Sequence, residues 1–125
     1  MNKIIIIVLF LLTLVPFSYA LELGEMKSTV YNITKSEGFG SGGVRFASYE
    51  VNKNYLAYIS CKHGDCLITF YRASFGLSKD ELRCLTLHEL GHWKDYQIGS
   101  KGILSEFKAN DYMQSKKEDC KRYKE

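Results

Sequence analysis

Two histidines and a glutamate in the segment CLTLHELGHWKDY, residues 84–96, have the types and spacing needed to bind and use a divalent metal ion. His88 and His92 are four residues apart, and on an α-helix this spacing places two side chains one turn above the other on the same face. Their imidazoles would then point at a common place, as two ligands of one ion must. Glu89 would lie on the flank, where a carboxylate can act as a base without binding the metal. The pattern His-Glu-x-x-His on a helix therefore predicts two zinc ligands and a general base.

The alternative for this pattern is an ordinary amphipathic helix that carries two histidines on its polar face. Two features favour the metal site: the motif lies deep inside a predicted helix, and it holds two of the three histidines of the chain. The third, His63, lies in a polar turn with no second ligand at a motif spacing, so we expect a solvated loop residue there.

A catalytic zinc site needs a third protein ligand and an open position for water. One known arrangement places a glycine three residues, and a His or Asp six residues, after the second histidine. Asp95 and Ile98 occupy these positions here, which excludes that arrangement. The other common arrangement uses a glutamate on a following helix, and Glu106 lies fourteen residues after His92, beyond a glycine turn.

Glu106 begins the sequence EFKAN, and Asn110, four residues later, would share its helix face. An amide at this position can hydrogen-bond the second ring nitrogen of a ligand histidine and so fix its tautomer. The alternative is that Glu106 only occupies the first turn of a helix, where a carboxylate is favourable in any case. Asp111 and Glu118 are the reserve candidates for the third ligand.

The paired motifs, residues 88–92 (HELGH) and 106–110 (EFKAN), resemble those of the gluzincin metallopeptidases, and the Glu-x-x-Ala-Asn form is closest to the ImmA/IrrE-like branch. The resemblance covers residues 78 to 115 and, by order of elements, the segment before them. It implies one Zn²⁺ ion bound by His88, His92 and Glu106, a catalytic Glu89, and an Asn110 that supports a ligand. Repressor cleavage, the activity of that branch, is not implied, because those relatives are largely cytosolic and lack the signal segment and the cysteines described below.

The implied chemistry is hydrolysis of a peptide bond by a zinc-activated water, with Glu89 as the base. The carbonyl oxygen would need a further electrophile, for which Tyr96 and Tyr112 are candidates among nine tyrosines. Substrate backbone could pair with an edge strand as an added strand.

The segments that precede the predicted active-site helix have less uniform secondary-structure preferences. Apolar residues at spacings of three and four predict an amphipathic helix over residues 22–35, although the β-branched residues in 29–34 favour a strand, and both readings stay open. The glycine-rich stretch 38–43 is a predicted link that lacks the lysine and helix of a phosphate-binding loop.

Three runs rich in aromatic and branched residues follow between Val44 and Phe75: VRFASYEV, YLAYIS and CLITFYRASF. Polar turns separate them, which predicts a three-stranded antiparallel meander.

Two helices complete the predicted domain. Ser78 and Glu81 form a capping box, so the active-site helix should begin there and end near Gly99. A last helix should start around residues 104–105 and carry Glu106. The predicted fold is therefore α+β and zincin-like: a small antiparallel three-stranded sheet, then the active-site helix and the glutamate-bearing helix.

The first twenty residues predict a signal peptide. Lys3 supplies a positive start, residues 4–15 an apolar run, and residues 18–20 (SYA) a small-x-small cleavage site. An uncleaved signal anchor is the alternative. We therefore expect a signal peptide over residues 1–20, a zincin-like metallopeptidase domain over residues 21–125, and a secreted or periplasmic location with no membrane partner after cleavage.

All four cysteines lie after the signal segment, and an even number of cysteines in an exported chain predicts disulfides. We favour Cys61 with Cys66, which bracket a short turn, and Cys84 with Cys120, which would tie the two C-terminal helices. A zinc site made of cysteines is disfavoured, because no Cys-x-x-Cys pair is present. Cys84 lies one turn before His88, but a disulfide or buried role fits it better than metal ligation.

Charge gives no reason to expect a nucleic-acid partner. The formal charge of +3 falls to +2 once Lys3 is removed with the signal segment, and the basic C-terminal run also contains acidic residues. The predicted partner is a protein or peptide substrate.

Three functions remain as hypotheses from the sequence. The first is an exported zinc-dependent endopeptidase, and the second is a secreted, disulfide-stabilised zinc-binding module that acts by protein binding without proteolysis. The third is an autolytic or toxin-like protein that acts on one specific target. Glu89 favours the first, since a purely structural zinc site does not need a base.

Overall fold

The computed structural model describes residues 21–40, 43–47, 55–99 and 103–123. The predicted signal peptide, residues 1–20, lies outside these ranges, as do residues 48–51 of the first predicted strand and the polar turn 52–54 that follows it. The elements follow in the order α1 (Leu23–Ser36), β1 (Val44–Phe46), β2 (Ala57–Lys62), β3 (Asp65–Phe70), a 3₁₀ helix (Arg72–Gly76), α2 (Lys79–Gln97) and α3 (Ile103–Lys116). A mixed α+β fold with a three-stranded sheet followed by two helices is thereby confirmed.

The segment for which the sequence left helix and strand open forms helix α1. Met26, Val30 and Thr34 recur every four residues and are all buried, so they form one stripe on the helix. The hydroxyl of Thr34 donates to the carbonyl of Val30 at 2.8 Å, which satisfies this polar group inside the core. The apolar periodicity therefore outweighed the strand preference of the branched residues.

The sheet has the order β1-β3-β2, so the predicted meander is wrong in its connectivity. β2 and β3 form the expected antiparallel hairpin, but β1 pairs with β3 in parallel, with Val44 opposite Ile68. β1 and β2 lie on opposite sides of β3, which places β3 in the centre. Its central position explains why Ile68 and Phe70 are completely buried.

The hairpin turn needs two residues with positive φ, and His63 (φ 53°) and Gly64 (φ 88°) supply them. Cys61 and Cys66 are directly opposite in the register and are joined by a disulfide, as predicted. The end of the third predicted strand is wrong, because residues 72–76 form a 3₁₀ helix.

Helix α2 is the centre of the molecule, since it contacts α1, β2 and α3. Most of its residues from Leu82 to Asp95 are buried, on more than one face. The core joins α1, the sheet and α2 through a single apolar cluster whose most buried members are Met26, Val30, Ile68, Phe70, Leu82 and Leu90. The motif of residues 88–92 thus lies in the interior and not on a polar face, contrary to the amphipathic alternative.

The second predicted disulfide, Cys84–Cys120, is also present. Cys120 lies beyond the last residue of α3, Lys116, so the bond ties α2 to the segment after α3 and not to the helix itself. This segment returns toward α2 and reaches the functional site.

Candidate metal centre

The capping box at the start of α2 sets the register of the motif. Ser78 Oγ accepts from the backbone N–H of Glu81 at 3.2 Å, and Glu81 Oε1 accepts from the backbone N–H of Ser78 at 3.2 Å. The helix then continues without interruption to Gln97 and ends before Gly99, whose φ of +89° is left-handed. His88 and His92 therefore lie well inside a regular helix, as predicted.

The imidazoles of His88 and His92 converge from successive turns of α2. Their Nε2 atoms are 3.2 Å apart, and their rings are nearly perpendicular at 87°. Both nitrogens thus point into one small volume, which is the arrangement that the four-residue spacing predicted.

Glu106, in the first turn of α3, completes this cluster. Its Oε1 lies 3.2 Å from His88 Nε2, and its Oε2 lies 3.2 Å from His92 Nε2. Within the described residues, the ligand atoms of His88, His92 and Glu106 all lie within 4.8 Å of one another. The structure therefore brings together the three side chains predicted as ligands.

The separations of these three ligand atoms fit a single small ion. In a tetrahedral zinc site, any two ligand atoms that each lie about 2.0–2.1 Å from the metal are about 3.3 Å apart. Two imidazole nitrogens and one carboxylate form a donor set that zinc accepts. The cluster could hold a metal ion, and its geometry does not by itself identify the element.

Burial leaves one side of the cluster accessible. The side chains of His88 and His92 are 0% and 9% exposed, whereas that of Glu106 is 23% exposed. Glu106 is therefore the most exposed of the three side chains in the cluster.

The two helices that carry the cluster cross unusually closely at Gly91. A Cβ atom added to Gly91 would lie 2.7 Å from Ala109 Cα and 2.8 Å from Ala109 O. No side chain fits in this gap, so the glycine within HELGH and the alanine within EFKAN allow the backbones to touch. The close crossing brings Glu106 within reach of the histidines.

Asn110 contacts His88, in the supporting position that the sequence predicted. Its Oδ1 lies 2.9 Å from His88 Nδ1, and the side chain is almost fully buried. The same Oδ1 accepts from the backbone N–H of Tyr123 at 2.9 Å, while Nδ2 donates to the carbonyl of Tyr123 at 3.0 Å. Because the backbone N–H can only donate, Oδ1 must face it, and His88 Nδ1 must then carry the proton. The lone pair of His88 is consequently on Nε2, which points into the cluster.

His92 has a corresponding partner that the sequence analysis missed. Ser105 Oγ lies 3.0 Å from His92 Nδ1. A hydroxyl that accepts from Nδ1–H leaves the lone pair of His92 on Nε2, as it must be for metal binding. The sequence contains only one feature that could have indicated this contact, which is a hydroxyl residue directly before the candidate ligand Glu106.

Glu89 is completely buried beside His88. Burial of Tyr123, and after it the charges of Glu81 and Glu89, raise the pKa of Tyr123 to about 12. Burial of an ionisable group is costly, and such groups are concentrated at functional sites, so the burial of Glu89, which is adjacent to His88 in sequence, is consistent with the predicted base.

The tyrosines proposed as electrophiles contact other parts of the fold. Tyr112 donates its hydroxyl proton to Glu37 Oε1 at 2.7 Å, and burial, this hydrogen bond and the Glu37 charge together raise its pKa. The hydroxyl of Tyr96 accepts from the backbone N–H of Gly64 at 3.4 Å. These contacts direct both hydroxyls toward α1 and the hairpin turn, so they do not support either electrophile role.

The remaining candidates also lie outside the cluster. Asp111 forms an ion pair with Arg122 at 2.9 Å, and Glu118 is exposed after the end of α3. His63 is exposed in the hairpin turn, as expected for a loop residue. Cys84 is bonded to Cys120, so it does not offer a thiolate to a metal.

Comparisons of the chain with protein-family models, with curated proteins and with solved structures give no match. The metal-binding geometry of His88, His92 and Glu106 is therefore the basis for any functional conclusion.

Proposed function

We propose that this protein is an exported, zinc-dependent endopeptidase of the gluzincin type. The observation that carries the proposal is the convergence of two Nε2 atoms and one carboxylate within 4.8 Å, with Glu89 adjacent to the first of these histidines in sequence. This combination of three protein ligands and a neighbouring carboxylate is the one that hydrolytic zinc sites use.

The residues of the site would have three different roles: metal binding, proton transfer and orientation of the histidines. His88, His92 and Glu106 would hold Zn²⁺, which when bound supplies the Lewis acidity that acidifies water and polarises a carbonyl group. The Glu89 carboxylate accepts a proton from the attacking water and returns it to the nitrogen of the departing amine. Asn110 and Ser105 keep the Nδ1 positions of the histidines protonated, so both Nε2 lone pairs face the ion.

Export is supported by the cysteines. The structure contains two disulfides, and such bonds persist in oxidising compartments, which is consistent with an extracellular protein. None of the helices in the described ranges has both the length and the apolar character of a transmembrane span.

The test compares wild type with Glu89→Gln, an isosteric change that removes the base and keeps the ligands. We expect mass spectrometry to find one zinc per chain in both proteins. Wild type should hydrolyse a peptide library about 10²–10⁴-fold faster than the variant, which is the contribution of a positioned base. Glu25→Gln, an exposed position on α1, is the matched control and should retain full activity.

A second function, a secreted zinc-binding module without proteolysis, is favoured by the burial of the histidines, because structural zinc sites are closed. Zinc in wild type and in Glu89→Gln with no hydrolysis by either would establish this module and refute the peptidase. The absence of zinc from wild type would refute both.

A further inference from the structure

Residues 117–123, here called the C-terminal strap, follow α3 and run back along it. The Arg122 guanidinium lies 5.0 Å above the ring of Phe107 and donates to Asp111 Oδ1 and Gln114 Oε1, both at 2.9 Å. Phe107, Asp111 and Gln114 are spaced by four and three residues, so they form one face of the helix. The three contacts of Arg122 thus hold the strap along the side of α3.

The strap is also fixed to α2, at His88 and in the two turns before it. Cys120 is bonded to Cys84, one turn before His88. The ring of Tyr123 lies 5.1 Å from the ring of His88, and its hydroxyl donates to the carbonyl of Glu81 at 3.4 Å. These contacts hold Tyr123 next to His88.

From this position the strap determines the orientation of the Asn110 amide. Tyr123 offers one backbone donor and one backbone acceptor, which pair with Asn110 Oδ1 and Nδ2 at 2.9 and 3.0 Å. Rotation of the amide by half a turn would set donor against donor and acceptor against acceptor. Asn110 therefore has one allowed orientation, and only with that orientation does His88 carry its proton on Nδ1.

Without the strap, both amide orientations of Asn110 become accessible. The rotated amide would donate from Nδ2 to His88 Nδ1. His88 would then carry its proton on Nε2, and that nitrogen would have no lone pair for a metal ion. We propose that the C-terminal strap is a positioning element that prepares His88 for metal binding, with Asn110 and the backbone of Tyr123 as its positioning residues. This inference rests on the proposed function, since it concerns the same ligand set.

The two disulfides provide a matched pair of variants. Cys84→Ala/Cys120→Ala removes the covalent bond between the strap and α2, whereas Cys61→Ala/Cys66→Ala removes a disulfide from the hairpin turn and leaves that bond in place. We expect the strap variant to bind Zn²⁺ about 10- to 100-fold more weakly, as for loss of other groups that orient a ligand histidine, and the hairpin variant to match wild type.

The second readout is the tautomer of His88 in the metal-free protein, from ¹⁵N NMR of the three histidines. We expect Nδ1–H in wild type and in the hairpin variant, and a mixture of tautomers in the strap variant. A merely structural role of the disulfide would lower stability in both double variants without changing this signature.

A pair of variants at residue 123 tests the same inference if loss of Cys84–Cys120 prevents folding. Tyr123→Ala removes the ring and keeps the backbone donor, while Tyr123→Pro removes both the ring and the donor to Asn110. Far-UV circular dichroism identifies the folded variants. The proline variant should bind Zn²⁺ about 10-fold or more weakly than the alanine variant.

Different results would refute the proposed function and the role of the strap. A wild-type protein that binds no Zn²⁺ refutes the proposed function. A wild type that binds Zn²⁺, together with folded strap variants that keep both its affinity and its His88 tautomer, refutes the strap inference alone.

Discussion

At the scale of single residues, the site depends on which nitrogen of each imidazole carries the proton. His88 Nδ1 is paired with Asn110 Oδ1 at 2.9 Å, and His92 Nδ1 lies 3.0 Å from Ser105 Oγ. The two partners differ, because an oriented amide oxygen can only accept whereas a hydroxyl can accept or donate. His88 is therefore the more strictly oriented of the two histidines.

Ser105→Ala tests the weaker of these two contacts. We expect it to lower the affinity for Zn²⁺ by about 10-fold, at the lower end of the range for groups that orient a ligand histidine. Isothermal titration calorimetry measures the change. Ser115→Ala, an exposed hydroxyl further along α3, is the control and should bind like wild type. Equal affinities for all three proteins would show that Ser105 has no orienting role.

Tyr123 predicts a dependence of stability on alkaline pH. Burial, followed by the charges of Glu81 and Glu89, raises its pKa from 10.0 to about 12. The folded protein thus holds the phenolic proton more tightly than the unfolded chain does, so this contribution to stability is complete below pH 10 and is lost as the pH rises to about 12. Urea unfolding across this range should show a smaller loss for Tyr123→Phe than for wild type. Tyr58→Phe, on an exposed part of the sheet, controls for removal of a hydroxyl.

At the scale of elements, the close crossing of α2 and α3 brings the third ligand to the histidines. Gly91 touches the backbone of Ala109, and Glu106 lies one turn before Ala109 on α3. A wider crossing would move the Glu106 carboxylate away from both Nε2 atoms. We therefore expect the identity of one glycine to affect both packing and metal binding.

Gly91→Ala should accordingly destabilise the protein and weaken zinc binding together. The added methyl group would approach Ala109 Cα to 2.7 Å, and overpacking of this kind costs about 1–3 kcal/mol. Gly24→Ala in α1 is the matched control, since its added methyl group meets no atom within 4 Å and should stabilise the helix by about 0.5–1 kcal/mol. Urea unfolding and zinc titration of both variants give the two measurements. A Gly91→Ala protein with wild-type stability and affinity would contradict the proposed role of the crossing.

At the scale of the whole molecule, α2 joins the core and the candidate metal centre. Its buried residues contact α1, the sheet and α3, so a disturbance at the metal cluster is transmitted to the core. The disulfides reinforce two other regions, the hairpin turn and the strap. Metal binding and folding are therefore expected to be thermodynamically linked.

Removal of zinc should lower the thermal stability of the whole domain. At a free Zn²⁺ concentration of about 100 times Kd, binding stabilises the native state by about 2.7 kcal/mol, which corresponds to a rise in Tm of about 10 °C or more for a domain of this size. Calorimetry with added Zn²⁺ and with a chelator measures the difference. His88→Ala/His92→Ala should show no such difference, and a zinc-dependent rise in this double variant would place the bound ion elsewhere.

Features that depend on neighbours along the chain could be predicted from the sequence. The capping box at Ser78, the convergence of His88 and His92, and the extent of α2 follow from helix geometry, which relates residues only three or four positions apart. Glu106 was predicted because a glycine turn allows a second helix to fold back. The turn-bracketing pair Cys61–Cys66 was predicted for a similar local reason.

Several contacts between distant segments were decided by the tertiary structure alone. The parallel pairing of β1 with β3 depends on where the chain crosses the sheet, and no residue pattern within a strand records its neighbour. Ser105 beside His92, and Tyr123 behind Asn110, depend on the crossing of α2 and α3 and on the return of the strap. A side chain specifies its local conformation strongly, whereas its distant partners are selected only when the whole core packs. The candidate metal ligands and Asn110 were therefore predictable, and Ser105 and the backbone of Tyr123 were not.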